Sequence, residues 1–313
     1  MEYIDSLISV DTSTDIDPQK LLLIFNPVSG RKNARKYLPE IIRTFTSAGY
    51  LVTTFVTGAH DEALHYTRIF GGKFDRIVCV GGDGTLNEVV TGIQHGCHDV
   101  PVGYIPSGST NDFATCHGLS SNVLAAARDA ASGVPAATDI GRFNSGCFTY
   151  VAAFGAFSWL SYSTSQNLKN ILGHTAYILD GIKDLPMIKP IPMKVDADGI
   201  IHEGSYIFGA VSNSTSIAGV ITLPEKLVDM HDGQFEVLLV KYPATALELQ
   251  NIITSVINQE FESCPLIEFF RAKHLVFESD NEVAWTNDGE FAGESKKNEM
   301  SVIPGGLKIV TNK

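Results

Sequence analysis

From residue 20 onward, apolar positions fall into short unbroken runs that alternate with amphipathic stretches. "KLLLIFNP" (20–27) is a continuous apolar run stopped by Asn-Pro, the pattern of a strand buried on both faces. "ARKYLPEIIRTFTSAG" (34–49) then sets Tyr37, Leu38, Ile41, Ile42 and Phe45 at helical spacing before a glycine stop. The alternation continues through β-rich "YLVTTFVT" (50–57), helical "HDEALHYTRIFGG" (60–72) and the buried-strand run "FDRIVCVGG" (74–82). Helical "TLNEVVTGIQH" (85–95), strand-like "VPVGYIP" (100–106) and helical "NVLAAARDAASG" (122–133) follow. Repeated strand–helix units predict a doubly wound parallel α/β sheet with helices on both faces. Ligands of such sheets lie beyond the carboxyl ends of the strands. Three turns that directly follow strands, "NPVSG" (26–30), "GGDGT" (81–85) and "PSGSTND" (106–112), are therefore expected at one edge.

After about residue 138 the pattern shortens. "FTYVAAFG", "PMKVDA", "GSYIFGAVSN", "QFEVLLVKY", "HLVFES" and "NEVAW" are brief β-type runs divided by Gly, Pro, Asn and Asp, which predicts an antiparallel β-sandwich. Helices are expected over 165–185 and 245–258. The resulting division is a loose leader (1–19), an α/β domain (20–138) and a β-sandwich domain (139–299). The strand-like tail (300–313) is expected to return to the α/β domain.

Composition narrows the class. The chain has 313 residues, 44% apolar and 19% charged, as in a globular protein with a large core. No apolar run approaches the ~20 residues of a membrane span, and the acidic N-terminus lacks a signal-peptide pattern, so a cytoplasmic location is expected. A net charge of −12 argues against nucleic acid as a partner and against general attraction to anionic lipid. Five scattered cysteines without a CxxC pair argue against a disulfide framework or zinc ribbon.

The glycines of "GGDGT" expose backbone N–H groups ahead of a helix N-terminus, a setting suited to phosphate. Neither the GxGxxG nor the Walker spacing is present. Taken alone, the segment is equally well a tight strand-to-helix turn. "NPVSG" and "PSGSTND" change that balance, because three small-polar, glycine-bearing turns exceed what connectivity requires. Together, "NPVSG", "GGDGTLNEVV" and "PSGSTNDFA" resemble the nucleotide-binding signature of the diacylglycerol kinase catalytic family, which includes bacterial lipid kinases and sphingosine kinases. "LKNILGHTAYILDGIKDL" (168–185), "HDGQFEVLLV" (231–240) and "NDGEFAG" (287–293) resemble further family segments in the expected order, over roughly residues 20–310.

The resemblance implies an ATP- and Mg2+-dependent lipid kinase with its nucleotide in the interdomain cleft. It would act on a lipid alcohol in transient contact with a membrane surface. The family's ATP contacts map onto Asn26, Pro27, Val28, Ser29, Gly30, Thr57, Gly81, Gly82, Asp83, Gly84, Thr85, Leu86, Asn87, Glu88 and Thr110. Its metal loop maps onto Asp229, Asp232 and the Gln234 carbonyl, and its catalytic pair onto Asp288 and Glu290. On this reading Asp83 faces the hydrated magnesium ion, which explains an acidic residue among phosphate-binding amides. Asp288 is the expected general base and Glu290 its rival; without the family pattern, "NDGE" reads as a hairpin turn. The four cations of "RKNARK" (31–36) would face phosphate, headgroups or solvent, and "NILGHTAYILDGI" would line an acyl-chain pocket. The chain departs from the family at Ser109, Thr115 and Asn287. NAD kinases and phosphofructokinases share GGDGT, so an NAD-kinase-like enzyme is the first alternative, although "TLNEVV" and "STNDFA" point away from it. A non-catalytic nucleotide- or lipid-binding regulator is the second, opposed by retention of all five acidic residues. The acceptor lipid and the oligomeric state, a homodimer included, stay open.

Overall fold

The computed structural model describes residues 18–30, 33–155, 189–217 and 221–312. The expected leader, the helix over 165–185 with its acyl-pocket segment, and part of "RKNARK" lie outside these residues.

Strands β1 (Lys20–Phe25), β2 (Leu51–Val56), β3 (Arg76–Gly81) and β4 (Val102–Pro106) pair in parallel in the order β2-β1-β3-β4. Helices α1 (Leu38–Ser47), α2 (Glu62–Phe70) and α3 (Asp83–Gly96) connect them, and α4 (Asp112–Cys116) and α5 (Val123–Ser132) follow β4. Ile41 and Phe45 of α1 and the alanines of α5 pack with Leu21, Leu23, Val78 and Val80. Leu86, Val89, Val90 and Ile93 of α3 pack with Leu22, Ile24, Ile77 and Cys79. Successive strand residues thus meet opposite helix layers, which is why β1 and β3 are apolar from their second residue on, whereas the edge strand β2 carries exposed Thr53 and Thr54. Each fully buried aliphatic side chain adds roughly 1.5–3 kcal/mol. The helix expected from residue 34 begins later: a 3-10 turn (Asn33–Tyr37) precedes α1, which has Pro39 in its first turn. Proline lacks the N–H that an interior helical position must donate, so it marks the start.

The second half is antiparallel. It comprises β5 (Val134–Phe143), β6 (Gly146–Phe148), β7 (Val151–Gly155), β8 (Ile191–Ala197), β9 (Ile200–Ser212), a short β10 (Ser216–Ile217)–β11 (Ile221–Thr222) hairpin, β12 (Phe235–Lys241), β13 (Ile267–Ala272), β14 (His274–Asn287) and β15 (Glu290–Thr311), with α6 (Ala246–Asn258) between β12 and β13. β9 and β14 change partners along their length: one part of each pairs with β8, another with β7. The strands thereby wrap a core of Phe148, Phe154, Tyr206, Phe235, Phe277 and Trp285. "HLVFES" and "NEVAW" belong to one strand whose register shifts between Glu278 and Val283.

β15 joins the halves. It runs antiparallel to β14 and then to β5, and Ile309 pairs in parallel with Val102 of β4, so the chain forms one 13-stranded sheet. Among the described residues, no helix is long and apolar enough to cross a membrane.

Candidate active site

The carboxyl ends of β1, β3 and β4 open into a cleft of about 1070 Å3, closed on its far side by the β14–β15 hairpin and the 143–147 turn. The three expected turns meet there. Asn26 donates from Nδ2 to Thr85 Oγ1 (2.8 Å) and accepts the Val28 N–H on Oδ1 (3.0 Å). Ser29 and Ser107 share a hydroxyl hydrogen bond of 2.7 Å. Gly30 adopts φ +50°, and a Cβ there would lie 2.3 Å from the Ser107 carbonyl oxygen. Gly82 and Gly108 press backbone to backbone, a Cβ on Gly108 falling 2.6 Å from Gly82 Cα. Thr57 donates its N–H to Phe25 O and lies at the end of the cleft with Gly58 and His60. Arg35 donates from Nε to Pro27 O at 2.6 Å, tying the first turn to the chain before α1.

Asp83 opens α3 but faces inward. Its Oδ2 accepts the Asp112 N–H (3.0 Å) and the Thr110 hydroxyl (3.3 Å), and Tyr104 OH donates to Oδ1 (3.4 Å). Burial pushes its pKa up to about 7, with the charges of Asp112 and Asp288 adding to the rise and the Asp112 N–H opposing it. Where the sequence reading turns Asp83 toward hydrated magnesium, the structure turns it toward the Thr110–Asp112 segment, because a buried carboxylate needs donors. Glu88 likewise has a scaffold task. Its two oxygens accept the N–H groups of Asp61 (3.0 Å) and Ala63 (3.1 Å) at the start of α2, and burial raises its pKa. His60, Asp61 and Glu88 bring possible metal-ligand atoms within 4.8 Å of one another beside the cleft.

Asp288 and Gly289 form the β14–β15 turn, both at positive φ (+50° and +84°), with Asn287 paired to Glu290. The Asp-Gly hairpin is thus present in its own right. Asp288 is buried and accepts five hydrogen bonds. Oδ2 takes the Thr149 N–H (2.7 Å), the Thr149 hydroxyl (2.9 Å) and Asn87 Nδ2 (2.8 Å). Oδ1 takes the N–H groups of Tyr150 (3.0 Å) and Val151 (3.1 Å). Burial raises its pKa while these donors oppose the rise. Asn87 also donates to Cys147 O (2.8 Å), so α3, the 147–151 segment and the hairpin share one network. Glu290 is exposed in the cleft over the first turn of α3, where a Cβ on Gly84 would come within 3.0 Å of its Oε1.

The expected metal loop lies away from this cleft, before β12. Asp229 Oδ1 accepts the His231 N–H (3.0 Å), and Asp232 Oδ1 accepts the Gln234 N–H (2.9 Å). Arg271 approaches Asp232 Oδ2 at 3.4 Å. The loop's two carboxylates and its carbonyls are hard oxygen donors of the kind magnesium takes, and the neighbouring Glu236 carboxylate is buried beside Arg271, whose Nε lies 3.4 Å from Oε1. The donor set fits a hard divalent cation.

Several framing residues escaped the sequence reading. Asn111 accepts the Gly108 N–H (2.8 Å) and donates to Gly108 O (3.1 Å), and its O accepts the Thr115 hydroxyl (3.2 Å). Asp139 receives the N–H groups of Gly233 and Gly305, each at 2.7 Å, which anchors the metal loop to β5 and β15. Asn111 stands inside the quoted "PSGSTND" and was legible as a turn residue; Asp139 carries no local signal.

Comparison with known proteins agrees with this architecture. Residues 20–143 match the family described as the diacylglycerol kinase catalytic domain, and residues 160–311 match the YegS C-terminal NAD kinase beta sandwich-like domain. A Bacillus subtilis (strain 168) diacylglycerol kinase is 32% identical over 276 residues, covering 87% of this chain and 89% of that protein. A Staphylococcus aureus (strain MRSA252) diacylglycerol kinase is 30% identical over 284 residues, covering 90% and 89%. A Bacillus anthracis crystal structure described as a diacylglycerol kinase superposes with a TM-score of 0.72 at 21% identity, over 95% of this chain and 98% of that one, a likeness of fold. The chain belongs to the diacylglycerol kinase family of lipid kinases.

Proposed function

We propose that this protein transfers the γ-phosphate of ATP to the hydroxyl of a lipid such as diacylglycerol, in the cleft between its α/β and β-sandwich halves and at a membrane surface. The observation that carries this reading is the convergence of three strand-end turns on the N-terminus of α3, with the Glu290 carboxylate suspended over that same helix turn. Backbone N–H groups at a helix N-terminus favour phosphate oxygens, and Gly30, Gly82 and Gly108 keep side chains out of their way. Asn26, Ser29 and Thr85 orient the chain around the phosphates, and Thr57 bounds the nucleotide end. Mg2+ arriving with ATP would supply charge neutralisation on the transferring phosphoryl group; Asp229, Asp232 and the Gln234 carbonyl would hold a separate ion outside the cleft.

The proton acceptor is Glu290 rather than Asp288. A carboxylate offers about four lone-pair sites, and five donors already engage Asp288. Glu290 stands in the cleft with no hydrogen-bond partner among the described residues. In the step assigned to it, the acceptor hydroxyl loses its proton to Glu290 as its oxygen bonds to the γ-phosphorus. The bond between that phosphorus and the β,γ-bridging oxygen breaks, ADP leaves, and the proton passes from Glu290 to solvent. Asp288 holds the hairpin so that Glu290 reaches the helix.

The test is transfer of label from γ-labelled Mg-ATP into organic-extractable product with a panel of lipid alcohols in mixed micelles. Label in a lipid that is absent with Glu290→Gln supports the assignment. ATP binding without labelling of any lipid would turn the reading toward a soluble acceptor or a regulator.

A further inference from the structure

Strand β2 ends the 13-stranded sheet, and among the described residues β1 is the one strand that pairs with it. Leu51 donates its N–H to Gln19 O (2.8 Å) and Thr57 donates its own to Phe25 O (2.9 Å), both on the β1 side. Backbone groups alternate in direction along a strand. Those of Thr53 and Phe55 therefore also face β1, and those of Val52, Thr54 and Val56 face outward. No described strand meets that outer row.

Edges that stay in solvent are ordinarily blunted by lysine, proline, an inward charge or a bulge. "LVTTFV" (51–56) contains no charge and no proline, and its pairing with β1 runs without a register shift. The surroundings are apolar as well. Leu51 and Val56 are exposed at the two ends of the strand. Phe55 stacks on Tyr66 of α2, and Tyr66 and Ile69 of that helix are themselves exposed. An open hydrogen-bonding edge thus coincides with a patch of exposed apolar side chains, the combination that marks a contact surface.

We propose that this edge binds a second copy of the chain, the two β2 strands pairing antiparallel about a twofold axis at Thr54. Outward-facing residues must lie opposite outward-facing residues for the N–H and C=O groups of both strands to meet. Centred on Thr54, the pairing sets Thr54 opposite Thr54, Val52 opposite Val56 and Thr53 opposite Phe55. The contact is isologous, so one strand serves both copies, and this register gives every outward group from Val52 to Val56 a partner. With no charge in the strand, neither copy repels its own image across the axis. Val52 packs with the α1 layer and Phe55 with α2. Valine therefore meets valine on one face, and the Phe55–Tyr66 stack is brought beside the axis on the other, pairs of the kind that stabilise adjacent strands. The strands of the β-sandwich half lie toward the opposite end of the sheet and take no part.

The experiment measures the mass of the whole chain by light scattering after gel filtration and by sedimentation velocity over a concentration series. Wild type is expected at twice the mass of one chain. Thr54→Lys sets two ammonium groups against each other at the axis, and it is expected at the mass of one chain where wild type pairs. Leu247→Lys adds the same charge at an exposed apolar position of α6 and is expected to keep the wild-type mass. Single mass for wild type throughout the series would overturn the proposal, and so would double mass for Thr54→Lys. If Thr54→Lys does not fold, Thr54→Pro decides instead, because it removes an outward N–H and none of the bonds to β1; double mass for that variant would overturn the proposal. A wild-type chain that becomes double in mass only after removal of residues 1–17 would assign the edge to the chain's own leader and overturn it as well.

Discussion

Asp288 and Glu290 are two residues apart and both acidic, yet they have opposite surroundings. One is saturated with donors, the other stands in the open cleft. Glu290→Gln is therefore expected to lower kcat by roughly 100- to 10,000-fold, the usual worth of a general base, with an unchanged melting temperature. Asp288→Asn turns an amide toward N–H donors that formerly met a carboxylate. It is expected to cost on the order of 3 kcal/mol of stability, read from denaturant midpoints, with activity lost through displacement of the hairpin. An Asp288→Asn protein of full stability and no turnover would return the base to Asp288. Asp83 makes a pH prediction. Its pKa in the folded chain is about 7 against an ordinary 3.8. Below the lower value both states hold the proton, so the contribution is fully present there. Between the two values the folded chain keeps a proton that the unfolded chain has lost. Stability from this group therefore falls as pH rises, by roughly 1.4 kcal/mol per unit at most. In Asp83→Asn that dependence is expected to vanish, and a wild-type-minus-variant stability difference flat from pH 4 to 7 would refute it.

At the scale of elements, the site depends on turns that only glycine can make. Gly30 combines positive φ with a carbonyl 2.3 Å from where a Cβ would sit, whereas Gly49 has positive φ (+89°) and open space. Both alanine variants meet the left-handed penalty of roughly 1–2 kcal/mol, but Gly30→Ala must also part the first turn from Ser107. Gly30→Ala is expected to weaken ATP binding as measured by calorimetry, while Gly49→Ala keeps wild-type affinity at reduced stability. Equal affinity losses in both variants would count against the packed-turn account.

Across the whole molecule, β15 makes the two halves one sheet. Its residues from Leu307 to Thr311 pair with β5, and Ile309 also meets β4. One calorimetric unfolding transition is expected for the full chain. A fragment ending near residue 143 would lose the β15 contribution to the edge of β4 and is expected not to melt cooperatively. Two resolved transitions in the full chain would show that the halves are energetically separate.

The strand–helix order, the three glycine turns and the candidate carboxylates were legible in the sequence, because buried parallel strands and phosphate-suited turns are local patterns of side-chain size and backbone freedom. The Asp-Gly hairpin at 288–289 was legible for the same reason. The division of labour among the carboxylates was not. Whether Asp83, Glu88 and Asp288 face a ligand or a backbone N–H depends on segments 25 to 139 residues away, and donor supply at a buried carboxylate is a property of the assembled neighbourhood. Asp139 and Glu236 belong to the same class: one holds a loop from a distant strand, the other stands buried in an apolar strand against Arg271 of the neighbouring strand. Local sequence sets what a residue can do, and packing decides which atoms it meets.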